Sequence, residues 1–251
     1  MRSRRIRVRR DAGRRRLRRV TLALGVVALL VLALVATRTA LLDVDRVTVS
    51  GTERTTVDEV RNAAGITIGE PLLSVDPGAV AARVEELPWV ASATVSRSWP
   101  ATVEVQVAER VPVAVIQVTD SLAAMVDADG WVVGVEEREA GGPTEASGPL
   151  VLTGIEDPVA EGERLDAPAR EALAVAVATA ERMPGTVVAV STELDAALAD
   201  GGAIRFGSLD DLDEKITAAM TVLSDVDTSC LELLDVRVPG SPALTRNQRC
   251  P

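Results

Sequence analysis

The sequence predicts an α+β fold: a single transmembrane helix, a small domain of strand–helix–helix–strand–strand order, then a mixed β-domain with two flanking helices. Three observations predict it. Residues 20–37 run without a charge. Period-two alternation of apolar and polar residues recurs at 90–97 and 102–109, after two segments that carry helix-start signals. Beyond residue 112, short apolar runs separated by Gly and Asp turns enclose two amphipathic stretches.

The uncharged stretch, VTLALGVVALLVLALVAT, has 18 residues. As a helix it spans ~27 Å, close to the ~30 Å hydrocarbon core of a bilayer. No polar stripe at a 3.6 period marks it as a soluble core helix. Residues 1–19 hold eleven Arg and one acid, Asp11. Removing them from the chain totals of 27 basic and 37 acidic residues leaves 16 and 36, a net of −20. Arginines before a spanning helix stay inside, so the N-terminus is expected in the cytoplasm and the acidic remainder outside. A cleavable leader would exit through small residues, but Arg38 interrupts Ala36-Thr37-Arg38-Thr39-Ala40. The stretch therefore reads as a retained anchor, with the arginines setting topology and touching anionic head groups.

Residues 45–50 read as a strand with Val47 and Val49 on one face. Gly51 ends it. Thr56-Val57-Asp58-Glu59 is a capping box, predicting a helix to Ala64 that Gly65 stops. Asp76-Pro77 starts a second helix with Val80, Val84 and Leu87 on one face, closed by Pro88. In 90–97, Ala91, Ala93 and Val95 share a side; Trp99-Pro100 turns the chain. In 102–109, Val103, Val105 and Val107 face in. Two helices on one face of three strands make a minimal two-layer core.

The run from Leu87-Pro88-Trp89-Val90 through Arg97-Ser98-Trp99-Pro100, then Val103-Glu104-Val105 and Glu109-Arg110-Val111-Pro112-Val113-Ala114, resembles the FtsQ/DivIB family of bacterial division proteins. So does Val47-Thr48-Val49-Ser50-Gly51. The resemblance covers roughly residues 20–245. It implies that the first outer module is a POTRA domain and the second an FtsQ-type β-domain. It also implies a non-enzymatic divisome scaffold, single-pass in the cell membrane and concentrated at the septum. Its implied partners are FtsB/DivIC-like and FtsL-like bitopic proteins. The competing reading is a POTRA-bearing secretion component or a cell-wall-binding anchored module. On the residues alone, Trp89 and Trp99 read as core and turn packing, and Arg97 as a stem covering apolar surface. The expected division is 1–19 basic tail, 20–42 anchor and juxtamembrane segment, 43–111 POTRA domain, 112–238 β-domain and 239–251 edge segment and tail.

In the second domain, 113–118 and 125–133 read as strands, with Asp127-Ala128-Asp129-Gly130 turning between Val126 and Trp131. Residues 136–148 form a polar, Gly-rich loop, and 150–152 resume order. A helix is expected over 167–183, with Asp166 as N-cap or Pro168 at the first position and Leu173, Val177 and Ala180 buried. Residues 187–191 are a strand, and 194–206 a hairpin around Asp200-Gly201-Gly202. Ser208-Leu209-Asp210-Asp211 caps a helix on Leu212, Ile216, Ala219, Met220 and Leu223. Residues 231–238 form the last apolar run.

Asp235-Val236-Arg237 resembles the segment near the end of FtsQ-type β-domains, which implies a terminal sheet edge that accepts a partner's strand. On this chain the implied partner-binding residues are Arg237, Val238, Ser241, Ala243, Leu244, Thr245 and Arg246. Pro239 and Pro242 remove two backbone donors, which shortens the usable edge to 243–246. Cys230 and Cys250 bracket it. Two states stay open for them: a disulfide closing a loop of about 20 residues, worth ~3 kcal/mol in the chain-entropy model, or two unpaired thiols.

The inventory argues against an enzyme. The chain has no His and no Tyr, which removes the commonest general base. Its single lysine, Lys215, sits mid-helix with no nucleophile motif beside it. Asp127 and Asp129 lack the remaining ligands of a calcium loop. No cofactor, metal or small-molecule substrate is expected, and the acidic outer part argues against nucleic acid.

Overall fold

The computed structural model describes residues 19–31, 42–119, 121–137 and 149–247. The chain divides into two compact units, Met1–Glu85 with Ser92–Ala108 and Glu86–Ala91 with Glu109–Pro251. Residues 19–31 are helical, with Leu22 and Leu29 exposed. Among the described residues no helix is long and apolar enough to cross a membrane. Residues 32–37 of the expected span, 138–148 of the expected loop and Cys250 lie outside the described residues.

The first unit has the expected element order. Strand β1 (Arg46–Ser50) is followed by helix α1 (Val57–Ala64), helix α2 (Pro77–Val84), β2 (Val90–Ser98) and β3 (Thr102–Glu109). The sheet order is β1-β3-β2, and β1 runs parallel to β3 with Val47 opposite Val103 and Val49 opposite Val105. The capping box is present. Thr56 Oγ1 accepts from the Glu59 N–H, and Glu59 Oε2 accepts from the Thr56 N–H at 2.7 Å. Gly65 ends α1 in the left-handed region. Asp76 caps α2 by accepting from Gly78 and Ala79. Val60, Leu72, Val80, Val84, Val103 and Val105 make the core between the helices and the sheet. Arg83 donates to the last α1 carbonyl, Ala64 O, and Arg97 donates to Val75 O at 2.9 Å. Arg97 therefore ties strand to loop rather than merely covering apolar surface.

Two expectations shift here. Helix α2 ends at Val84, not at Pro88, because a turn closed by the Val90 N–H on Leu87 O takes up the residues between. On β2 the buried face changes phase. Val90 is buried, Ala91 and Ser92 are exposed, and only from Ala93 do Ala93, Val95 and Arg97 share a half-buried side. The change coincides with the boundary between the two units after Ala91.

The second unit is one nine-stranded sheet with order β12-β11-β10-β9-β8-β7-β4-β5-β6. Its strands are β4 (Pro112–Thr119), β5 (Leu122–Asp127), β6 (Val132–Glu137), β7 (Leu150–Thr153), β8 (Val187–Ser191), β9 (Asp195–Leu198), β10 (Ala203–Arg205), β11 (Leu231–Asp235) and β12 (Ala243–Arg246). The pairs β4·β7, β7·β8 and β10·β11 are parallel and the others antiparallel. Helices α3 (Ala167–Arg182) and α4 (Leu212–Asp225) share the main core with one sheet face. On the other face Val115, Ala123, Met125 and Val133 form a small cluster that Trp89 covers. Trp89 reaches Gly134 so closely that a Cβ there would lie 3.4 Å from its ring, so Trp89 is a packing residue. Trp99, by contrast, is 56% exposed.

The helix faces depart from the expected ones. Asp166 caps α3 through the Ala169 N–H, with Pro168 in the first turn. Its buried face is Ala169, Ala172, Leu173, Val175, Ala176 and Thr179, while Val177 is half-buried and Ala180 exposed. Small alanines, uninformative in a hydropathy pattern, let the helix approach the sheet closely. On α4, Ile216 and Ala219 are buried but Met220 is 40% exposed. Asp211 precedes α4 in the left-handed region and makes no side-chain cap bond. Lys215 holds that loop instead. Its buried ammonium donates to Phe206 O, Ser208 O and Ser208 Oγ, each at 3.0 Å.

Candidate partner-binding edge

The C-terminal strand β12 is the edge of the large sheet. It pairs antiparallel with β11, Leu234 opposite Leu244 and Asp235 opposite Ala243. The register shifts between Leu231 and Leu233, so Glu232 is the extra residue of a bulge on β11. The Asn247 N–H donates to Cys230 O at 3.0 Å. Strand alternation from Asn247 then turns the backbone of Thr245 and Ala243 toward β11, and that of Leu244 and Arg246 away from it. Pro242 falls at the next outward position and has no N–H to offer. The edge therefore presents outward donors at Leu244 and Arg246, with acceptors at both and at Pro242. The Leu244 side chain is half-buried against the main core, whereas Ala243, Thr245 and Arg246 are exposed.

The turn before β12 is closed by the Ser241 N–H on Val238 O at 3.0 Å, and Val238 is 63% exposed. Arg237 does not point to the edge. Its guanidinium grips Asp235, with Nε 3.0 Å from Oδ1 and Nη2 2.6 Å from Oδ2. Its stem lies over Gly207, where a Cβ would come within 2.7 Å of Cγ and Cδ. Asp235 is registered beside Arg205, and Arg205 beside Asp195, with a bidentate Arg205–Asp195 pair at 3.0 and 2.7 Å. A ladder of alternating charge thus crosses β9, β10 and β11. The hydrogen bond from Arg237 holds the Asp235 carboxyl below its usual range, and Asp195 raises Arg205.

Of the expected site residues, Ala243, Leu244, Thr245 and Arg246 make one strand and Ser241 closes its turn. Val238 opens that turn and Arg237 sits before it. The bulge at Glu232 and the charge ladder had no local signal, since each depends on which strands become neighbours. The same holds for an open groove of about 690 Å³ beside the turn, where Arg182 and Asp213 face Pro239 and Gly240.

The residues weighed for chemistry are all engaged structurally. The Asp127 carboxylate accepts from the Asp129 and Trp131 N–H groups and from Arg110, completing its turn. Ser208 does stand 3.0 Å from Lys215 Nζ, but that ammonium already donates to two carbonyls and to Ser208. Cys230 is disulfide-bonded.

A family description, "POTRA domain, FtsQ-type", matches residues 42–110. The cell division protein FtsQ of Corynebacterium glutamicum is 32% identical over 209 residues, covering 81% of this chain and 90% of that protein. The chain belongs to the FtsQ family. The FtsQ of Streptomyces collinus is also 32% identical, over 80% of this chain and 77% of its own length. That of Mycobacterium leprae is 29% identical over 82% of this chain and 57% of its own. For this FtsQ-family chain the likenesses extend well past the POTRA match, so they take in the large sheet as well as the small one.

Proposed function

We propose that the chain is a non-enzymatic scaffold of the division machinery that holds FtsB/DivIC-like and FtsL-like bitopic proteins at the septum. The span 20–37 anchors it, with residues 1–19 in the cytoplasm and the parts at 43–111, 112–238 and 239–251 outside. The observation that carries the reading is the outward backbone of β12, free of any further strand among the described residues. Strand addition there draws affinity from ladder hydrogen bonds. Only Leu244 and Arg246 supply outward donors, so the added stretch is short, and side-chain contacts beside it supply the rest. A Cys230–Cys250 bridge would pin the tail beyond Asn247 to the start of β11.

Photo-crosslinkers placed singly at 243, 245 and 246 in dividing cells test the reading. Capture of a small bitopic division protein is expected. Capture from the first unit alone, or an even distribution of a fluorescent fusion around the cell, would overturn it.

A further inference from the structure

The first unit carries exposed apolar residues at one end. Ile68 is 61% exposed, Trp99 56% and Leu73 46%. They come from two loops, and backbone bonds place both loops beside residues 43–46. The Gly69 N–H donates to Val44 O, and the Val44 N–H donates to Glu70 O. Asp43 bridges to Pro71. Ala101 O accepts from the Asp45 and Arg46 N–H groups. Each exposed apolar residue is thus one or two positions from a residue paired with 43–46. That is where the chain enters the unit, six residues beyond the end of the apolar stretch at 37.

Six residues reach at most about 21 Å when extended. If 20–37 spans the bilayer, this end of the domain is tethered within that distance of the head groups. The opposite end, at Ser50 and Gly51, lies one β1 length further away.

We infer that the 66–73 loop and the Trp99–Pro100 turn rest on the membrane, with Trp99, Ile68 and Leu73 at the boundary of head groups and acyl chains. This inference rests on the anchor reading above. Trp suits that boundary because its ring is apolar and its N–H polar. Asp43, Asp45 and Glu70 stand at the same end and Arg46 is the only base within 43–46. The contact is therefore apolar rather than a basic patch on anionic lipid. It is favoured by tethering, which makes it an intramolecular event at high effective concentration. Its consequence is to fix the height and tilt of the unit above the bilayer.

Nitroxide labels on the full chain in lipid vesicles test it, introduced singly through Ile68→Cys, Leu73→Cys, Trp99→Cys, Thr52→Cys and Leu30→Cys. The readout is accessibility to oxygen, which concentrates in lipid, relative to a water-soluble nickel chelate. Labels at 68, 73 and 99 are expected to show a several-fold higher ratio than the label at 52, and the label at 30 the highest. A deep label at 30 with 68, 73 and 99 matching 52 would overturn the membrane contact and leave the anchor standing. An aqueous label at 30 would overturn both. Protection of 68, 73 and 99 in cells but not in pure lipid would assign the patch to a protein and overturn the inference. Leu30, Ile68, Leu73 and Trp99 are exposed and Thr52 is half-buried, and an unchanged helix content checks that each labelled chain is folded.

Discussion

Arg110 Nη1 lies 2.7 Å from Asp127 Oδ2, with the two side chains only 12% and 7% exposed. The pair joins the start of the second unit to the turn between β5 and β6. Arg110 also lies over the Trp131 ring, 5.0 Å from its centroid, and its N–H donates to Trp89 O. Asp127→Ala leaves a buried guanidinium unpaired and two turn amides without an acceptor. A loss of about 3–5 kcal/mol is expected, read by urea unfolding of the outer part. Asp127→Asn retains an acceptor for the turn and should lose less.

The backbone alternation on β12 separates edge from fold. Arg246→Pro removes an outward donor from an exposed position while keeping the bonds to β11. Thr245→Pro removes a donor that faces β11. The first variant should stay as stable as the parent and lose co-purification with the division partner. The second should lose both β12 pairing, by about 1 kcal/mol or more, and binding. Full partner binding by Arg246→Pro would exclude this edge as the site.

Acid stability should depend on Asp235. Its pKa is lowered, first by the Arg237 hydrogen bond, from an ordinary value of 3.8. A group lowered on folding binds protons more tightly in the unfolded chain. Its contribution is therefore complete above about pH 4 and is lost as pH falls through the lower folded value. Glu59 and Asp227 shift in the same direction. Asp235→Asn should flatten the acid limb of a stability-versus-pH curve without removing it, and leave the curve near neutrality parallel to that of the parent. Arg237 is 60% exposed, so salt should shrink the difference.

Gly202 sits at φ +80°, and a Cβ there would lie 2.5 Å from Leu231 O. Gly202→Ala therefore forces β11 away from the β9–β10 hairpin. A loss of at least 1–3 kcal/mol is expected from the left-handed backbone alone. Gly201→Ala is the comparison: its φ is +98° but no neighbour lies within 4 Å of the added carbon. The difference in melting temperature between the two isolates the effect of the close approach.

Local signals were legible wherever a short motif closes its own hydrogen bonds. The Thr56–Glu59 box, the Asp76 and Asp166 caps, the Asp127–Gly130 turn and the Val103–Val107 alternation all stand in the structure as their spacing implies. Faces set by a remote surface were not legible. Ala180 and Met220 continue a helical apolar pattern yet are exposed, since α3 buries an alanine face against the sheet and α4 turns Leu212, Ile216, Ala219, Val222 and Leu223 toward the core and Met220 away from it. Lys215 read as an ordinary helix residue, and only the chain's return at Phe206 and Ser208 made it a buried clasp.

Sequence alone determined the element order, the caps, the apolar stretch at 20–37 and the two prolines that limit the segment before Ala243, because each depends on residues within a turn or two of one another. Tertiary structure decided that β12 pairs with β11 and ends a nine-stranded sheet, that Pro242, Leu244 and Arg246 share its outward side, and that Arg237 turns back to Asp235. The physical reason is register. A strand's alternation says which residues share a side, but the strand lying beside it says which side is left for a partner.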